Sequence, residues 1–176
     1  MVMAEDSIGD FWSMAGPEVS WVHRQLRRLG VHPNDLEDVT QEVLFAVCRK
    51  WAHYDPSRAL RPWRFAFVYR EASAYRRKYE PEAGTPGIEP DEASEAMPAD
   101  ALIEQQQAKT LVLDAIASID LDRRAVFIMV DIEGVPVPDV AGSLCIPLNT
   151  AYSRLRVARE EFAAAVRRLT AKLGRP

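Results

Sequence analysis

The 176-residue sequence predicts an all-α fold: two small helical domains joined by a flexible acidic linker, the C-terminal one a helix-turn-helix. Three observations carry this. Apolar residues recur at spacings of three and four on both sides of a central break, and no stretch alternates as a strand does. The break, "PEAGTPGIEPDEASEAMPAD", is rich in Pro, Gly, Ala and acid and almost empty of large apolar residues, so it cannot bury enough surface to fold alone. Near the end, "VPDVAGSLCIPLNTAYSRLR" reads as a short helix, a tight turn and a second helix. The resulting boundaries are a first domain over 1–80, a linker over 81–107 and a second domain over 108–176.

In the first domain Val19, Val22, Leu26 and Leu29 fall on one helical face, and Gly30 ends that helix. The next helix opens in "HPNDLEDVTQEVLFAVCRKW", with Asn34 as the expected N-cap and Glu37 as its capping-box partner. Leu36, Val39, Val43, Ala46 and Val47 form its inner stripe. "YDPS" breaks the chain, and a third helix starts near Pro62, a residue tolerated in a first turn. In the second domain "TLVLDAIASI" is helical. "DLDRRAVFIMVDIEG" follows, capped at Asp120 or Asp122 and stopped at Gly134. "VPDVAGSL" gives a short helix, "CIP" a turn, and the rest one long helix.

Charge is unevenly spread. The net charge is −4, but residues 81–107 alone hold seven Asp/Glu and no Lys/Arg, leaving +1 before them and +2 after. The total therefore does not exclude a nucleic-acid partner for either domain. No apolar run approaches the ~20 residues of a membrane span, and "MVMAEDSIGDFW" lacks the apolar core of a secretory signal. Cys48 and Cys145 are far apart and read as two buried thiols of a reducing compartment. The expectation is a cytoplasmic protein with no membrane insertion. There is no Gly-rich phosphate loop, nucleophile elbow or metal-ligand spacing; His23, His32 and His53 are scattered, and Asp131 and Glu133 sit at a helix end. No catalytic residue, cofactor or metal is expected.

Three surfaces stand out instead. On the final helix Ala151, Leu155, Ala158 and Phe162 form the inner stripe. Asn149, Tyr152, Ser153, Arg156 and Glu160 lie opposite, with Arg154 and Arg159 on the flanks. A helix entering the major groove presents its N-terminal residues to base edges, and Asn and Arg suit bidentate contacts there. A solvated face is the alternative, and the preceding short helix and turn favour the DNA reading. In "RPWRFAFVYREASAYRRKY", Trp63, Phe65, Phe67, Tyr69, Tyr75 and Tyr79 interleave with Arg61, Arg64, Arg70, Arg76, Arg77 and Lys78. That composition suits single-stranded nucleic acid, or else the aromatics fill a core and the cations are solvated. Asp38, Gln41, Glu42, Phe45 and Arg49 project together on the second helix, either as a protein-docking face or as a plain solvated one.

The order of these pieces resembles the extracytoplasmic-function (ECF) group of bacterial RNA polymerase sigma factors, the smallest members of the sigma-70 family. "DLEDVTQEVLFAVCRKWAHYDPSRALRPWRFAFVYREASAYRRK" is similar to that family's core-binding and −10-reading segment. "IPLNTAYSRLRVAR" is similar to the I-P-x-G-T-V-x-S-R-L-x-R-A-R pattern of its −35-reading helix. The resemblance implies that Asp38, Gln41, Glu42 and Phe45 dock on the β′ clamp helices of core RNA polymerase, within reach of the β subunit. It implies that Arg61, Trp63, Arg64, Tyr69, Arg70, Tyr75, Arg76, Arg77 and Lys78 open and hold single-stranded promoter DNA at −10, with one base flipped into a pocket formed by the loop before their helix. Asn149, Thr150, Tyr152, Ser153, Arg154 and Arg156 would enter the duplex at −35, and the acidic linker would cross a basic polymerase channel. An anti-sigma factor is a further partner of this group. A stand-alone helix-turn-helix regulator with an N-terminal sensing domain is the alternative from another class.

The chain departs from the family pattern at several positions. Arg70 and Ala74 stand where the −10 helix usually has Asn and Asp. Asn149, Ala151 and Tyr152 replace Gly, Val and Lys on the recognition helix, and Cys145 replaces the turn glycine. The last change predicts a non-glycine residue in the left-handed region, at a cost of ~1 kcal/mol.

Overall fold

The computed structural model describes residues 18–79 and 99–173, which form seven α-helices and no strand among the described residues. Residues 1–17, 80–98 and 174–176, including most of the expected linker, lie outside the described residues. The helices are α1 (18–28), α2 (Leu36–Lys50), α3 (Leu60–Tyr79), α4 (Ala99–Ala117), α5 (Leu121–Phe127), α6 (Val137–Ser143) and α7 (Leu148–Leu173).

Helix α1 buries Trp21, Val22, Leu26 and Leu29, each contributing about 1.5–3 kcal/mol on transfer from water. It closes at Gly30, whose φ of 94° belongs to the left-handed region, so the Val31 amide can reach the Leu26 carbonyl at 3.1 Å. The start of α2 differs from the capping box expected at Asn34. Pro33 begins a 3-10 turn, Pro33–Asp35, which draws Asn34 inside; the cap is His32, whose Nδ1 accepts from the Asn34 amide at 3.2 Å. Asp35 makes no side-chain cap bond to α2, because its carboxylate accepts from the Tyr75 hydroxyl of α3 at 2.6 Å. The buried face of α2 is Leu36, Thr40, Val43, Ala46 and Val47, with Val39 at its margin.

In the second half, α4 begins at Ala99, within the 81–107 stretch, where "ADALIEQQQAK" supplies strong helix formers. Asp120 caps α5 by accepting from the Asp122 amide at 3.1 Å. Arg124, only 2% exposed, turns back onto the end of α4. Its Nε and Nη2 donate to the Ile119 carbonyl at 3.0 and 2.8 Å, and Nη2 also donates to the Ala117 carbonyl. These bonds satisfy carbonyls a helix end leaves open. Burial, reinforced by the nearby charge of Arg76, lowers the guanidinium pKa to about 10.

Helix α5 continues into a π-helical turn, Ile128–Ile132, which ends at Glu133 and Gly134 (φ 71°). Between α6 and α7, Cys145 takes φ 53°, the left-handed conformation its replacement of glycine requires, and its place at the turn leaves the thiol exposed rather than buried, with Cys48 half-buried. The Ile146 amide bonds the Ala141 carbonyl at 3.0 Å and the Cys145 amide the Gly142 carbonyl at 3.3 Å. This is a Schellman closure made without glycine.

The two halves are packed together. One apolar core runs from Trp21, Val43 and Phe65 to Ile128, Val140 and Leu155, and α3 lies against α6. At the seam a Cβ added to Gly30 would sit 3.1 Å from Nη1 of Arg124, whereas one added to Gly134 would meet nothing within 4 Å. Both glycines need positive φ, but only Gly30 also supports a buried cation. Gly134→Ala is expected to lose about 1 kcal/mol in urea unfolding from backbone strain alone, and Gly30→Ala measurably more.

Candidate nucleic-acid and polymerase interfaces

The face singled out on α2 is on the surface. Asp38, Gln41, Glu42 and Arg49 are exposed, and Phe45 keeps 56% of its surface in water although large apolar residues nearby are buried. An exposed phenyl ring ringed by carboxylates and an amide suits a protein contact with a basic rim.

Helix α3 divides its candidates. Arg61, Arg70, Arg77 and Lys78 are exposed, and Arg76 is half-buried. Arg70 lies over the Phe67 ring at 5.1 Å and contacts Glu71 at 3.3 Å. Lys78 lies over Tyr79 at 4.9 Å, and Tyr79 is tilted against Tyr75 with centroids 4.7 Å apart. Arg64 does not join them. It is 7% exposed, paired with Glu18 at 2.9 Å and set over the Trp21 ring at 5.9 Å, so it fastens α3 to α1. Phe65 and Phe67 are buried as well. The composition of α3 thus serves both readings open at the level of sequence: core on one side, cations and tyrosines on the other.

Trp63 is half-buried in an aromatic column, 5.0 Å from Tyr54 and 4.9 Å from Phe67, with Trp51 alongside. The loop before α3 is held in shape. The Tyr54 hydroxyl donates to the Arg58 carbonyl at 2.6 Å, and the Ser57 amide donates to Asp55 at 2.9 Å. A cleft of about 730 Å³ opens beside this loop, lined on one side by Ser57, Arg58 and Trp63 and on the other by Asp139, Ser143 and Cys145 of the α6 turn.

The recognition face of α7 is arranged as its periodicity predicts. Ala151, Leu155 and Ala158 are buried, whereas Asn149, Tyr152, Ser153 and Arg156 are exposed and Thr150 is half-buried. Tyr152 leaves 52% of its surface in water. Arg156 reaches Glu160 one turn on at 2.7 Å, an exposed pair worth little and easily opened. Arg159 is held bidentately by Asp131 at 2.7 and 2.8 Å. Arg154 faces inward: it pairs with Asp122 at 2.5 Å, and the same carboxylate accepts from the hydroxyl of Tyr69 on α3. Burial and that bond push the Tyr69 hydroxyl up to about 12. Tyr75 is likewise pushed up to about 12, by burial and by its bond to Asp35.

In the sequence Asp122 was a candidate helix cap and Glu133 a helix-end residue, neither with a tertiary partner. Glu133 accepts from the Trp21 indole at 2.9 Å, Gln25 Nε2 at 2.8 Å and Arg28 at 2.8 Å, all three on α1. Its only local signal was a position before a helix-stopping glycine, and its partners lie more than 100 residues away.

Among the described residues, three surfaces stand open together: polar residues at the start of α7, cations and tyrosines on α3, and the Phe45 face of α2. Sigma-70 region 2 matches residues 17–81 and sigma-70 region 4 matches residues 109–162. The chain belongs to the sigma-70 family. No curated protein matches the sequence. Among solved structures, the sigma factor RpoE in a co-crystal with the anti-sigma factor NepR from Bartonella quintana is similar over 90% of this chain and 97% of that one, at 17% identity and TM-score 0.70. CnrH in complex with the cytosolic domain of CnrY is similar over 88% and 85%, at 20% identity and TM-score 0.59. At such identities the likeness is one of fold. No described helix is long and apolar enough to cross a membrane.

The Glu133 site yields a pH test. Burial raises its pKa, but the donations from Trp21, Gln25 and Arg28 outweigh burial and leave it below the ordinary value of 4.5. A depressed carboxylate stabilises the folded chain above its unfolded pKa, and that contribution fades as pH falls through the folded value. Glu133→Gln should therefore destabilise the chain at pH 7, with the gap to wild type closing as pH falls below the ordinary carboxylate value, in thermal unfolding across pH.

Proposed function

We propose that this chain is a non-enzymatic, cytoplasmic sigma factor that joins core RNA polymerase and directs promoter-specific initiation through −10 and −35 elements. The observation that carries it is the pairing, in one chain and in order, of sigma-70 regions 2 and 4 with a helix-turn-helix whose recognition face is open to solvent. Matching region 2 gives the N-terminal half a polymerase-linked role that a stand-alone regulator would not need. Residues 1–80 serve core binding and −10 melting, 108–176 serve −35 reading, and the −7 charge of 81–107 suits a basic channel of the enzyme.

The roles divide by exposure. Asp38, Gln41, Glu42 and Phe45 offer the clamp one apolar anchor in a polar rim. Arg61, Arg70, Arg76, Arg77 and Lys78 track the backbone of the opened strand. Trp63, Tyr69 and Tyr75 offer ring faces for bases, and the cleft at the Ser57–Ala59 loop is roomy enough for a flipped base. Arg64 acts behind them, holding α3 on α1. Asn149, Thr150, Tyr152, Ser153 and Arg156 meet the −35 duplex, with Arg154 at its edge. The two solved relatives are complexes with an anti-sigma factor and with the cytosolic domain of CnrY, and an anti-sigma protein is a partner of the same class for this chain.

Run-off transcription with purified core polymerase over genomic templates tests the reading: discrete promoter-specific transcripts support it, and none, with no co-purification of core, contradicts it. Arg156→Ala should reduce use of −35-dependent promoters about tenfold, a typical loss for one bidentate contact, with core binding intact. Equal loss at promoters lacking a −35 element would remove that role. Asp38→Arg should reduce co-purification with core while leaving unfolding unchanged; unaltered association would make the α2 face merely solvated.

A further inference from the structure

Arg154, Arg156 and Arg159 lie on the first half of α7, and they differ in which donors are already spent. A guanidinium reads guanine by aiming two neighbouring donors, Nε with Nη2 or Nη1 with Nη2, at the O6 and N7 acceptors in the major groove. Arg159 gives Nε and Nη2 to the two oxygens of Asp131, at 2.8 and 2.7 Å. Arg154 gives Nη2, which belongs to both edges, to Asp122 at 2.5 Å. Arg156 gives only Nη1, to Glu160 on its own helix at 2.7 Å. The two side chains of that pair are 66% and 62% exposed. Among the described bonds none engages the Nε–Nη2 edge of Arg156, so of these three it keeps a complete fork.

Asn149 stands two turns before it. A separation of seven residues rotates the face by only ~20° and covers ~10.5 Å of helix. Both residues are exposed, and Tyr152, 52% exposed, lies between them on the same face. The family pattern has glycine at 149, so this side-chain amide is the chain's own addition. An amide sets a donor and an acceptor side by side, the complement of adenine N7 and N6. At ~3.4 Å per base-pair step, the distance to Arg156 is about three steps, too far for both groups to meet one base pair.

We propose that α7 selects two bases of the −35 duplex with side chains that distinguish this chain: an adenine at Asn149 and, about three base pairs away, a guanine at Arg156. This rests on the −35 role given to α7 above and names the bases that role selects. Arg154 and Arg159, held by carboxylates of α5 and the π turn, select neither base. A wrong base opposite Asn149 or Arg156 leaves a desolvated donor or acceptor unpaired, which is what turns contact into discrimination.

The test uses the full-length chain with core polymerase and a template library. The −35 region of a promoter mapped by run-off transcription is randomised, the rest is kept, and each template carries a transcribed barcode that is sequenced. The wild-type chain should enrich an adenine and a guanine about three base pairs apart, scored on either strand, each about tenfold over the other bases. Arg156→Gln should move the second preference from guanine to adenine, which a glutamine amide fits, and leave the first in place. Asn149→Gly should flatten the adenine position and leave the guanine. Transcription indifferent to the −35 sequence, or enrichment without that pair of bases at that spacing, overturns the proposal. So does guanine retained in Arg156→Gln or adenine retained in Asn149→Gly. Should a variant yield no transcript, the wild-type profile decides. No transcript from any template with the wild-type chain sinks the sigma reading and this proposal with it, whereas transcripts that lack the two preferences sink the proposal alone.

Discussion

The carboxylate of Glu133 is the interaction on which the arrangement of the two halves turns. It emerges where α5 has widened into the π turn Ile128–Ile132, which carries one more residue per hydrogen-bonded ring than an α turn. The wider turn sets the direction in which Glu133 leaves the helix. Residues Trp21, Gln25 and Arg28, at spacings of four and three on α1, line one helical face opposite it. Without this match, Gln25 (0% exposed) would be a buried amide facing an apolar core, and a buried polar group left unpaired costs about 1–3 kcal/mol. The apolar seam between Trp21, Phe65 and Ile128 supplies adhesion, and Glu133 supplies register.

The same logic of paired charge organises the surfaces proposed to read DNA. Carboxylates of α5 and the π turn take cations of α7, Asp122 holding the part-buried Arg154 and Asp131 the exposed Arg159, while Arg123 of α5 donates to Glu161 of α7 at 2.8 Å. These fix the roll of α7 about its axis, so that Asn149, Tyr152 and Arg156 point away from the core. Specificity in such a helix depends on that roll as much as on side-chain identity, since a rotation of one residue turns the face by about 100°. With Asn149 and Tyr152 in place of the family's usual residues, the scaffold is the family's and the face proposed to read the −35 element is the chain's own.

Much of this was legible in the sequence because helices write their packing locally. The Ala151, Leu155 and Ala158 stripe, the stop at Gly134 and the outward α2 face all follow from spacing within one or two turns, and the strained turn at Cys145 from the resemblance, whose pattern has glycine there. Arg64 was grouped with the exposed cations because composition cannot say which side of a helix an arginine takes; Glu18, 46 positions earlier, decides it. Asn34 was displaced as a cap by a proline one residue before it. Glu133, Asp122 and Arg124 are polar residues whose meaning comes from partners in the other half or across a helix end, and no periodicity records such pairs. The seam between the halves was therefore invisible in a sequence that showed each half well.

The distance between the halves tests the account most directly. Spin labels on an exposed position of α3 and an exposed position of α7, read by pulsed electron resonance in the full-length chain, should report one short separation when the chain is alone. In the complex with core polymerase and promoter DNA the separation should grow to several tens of Å, on the scale of the roughly 85 Å that about 25 base pairs of duplex span between the two elements. A long or broadly spread distance in the free chain, or the same short distance in the promoter complex, would contradict it.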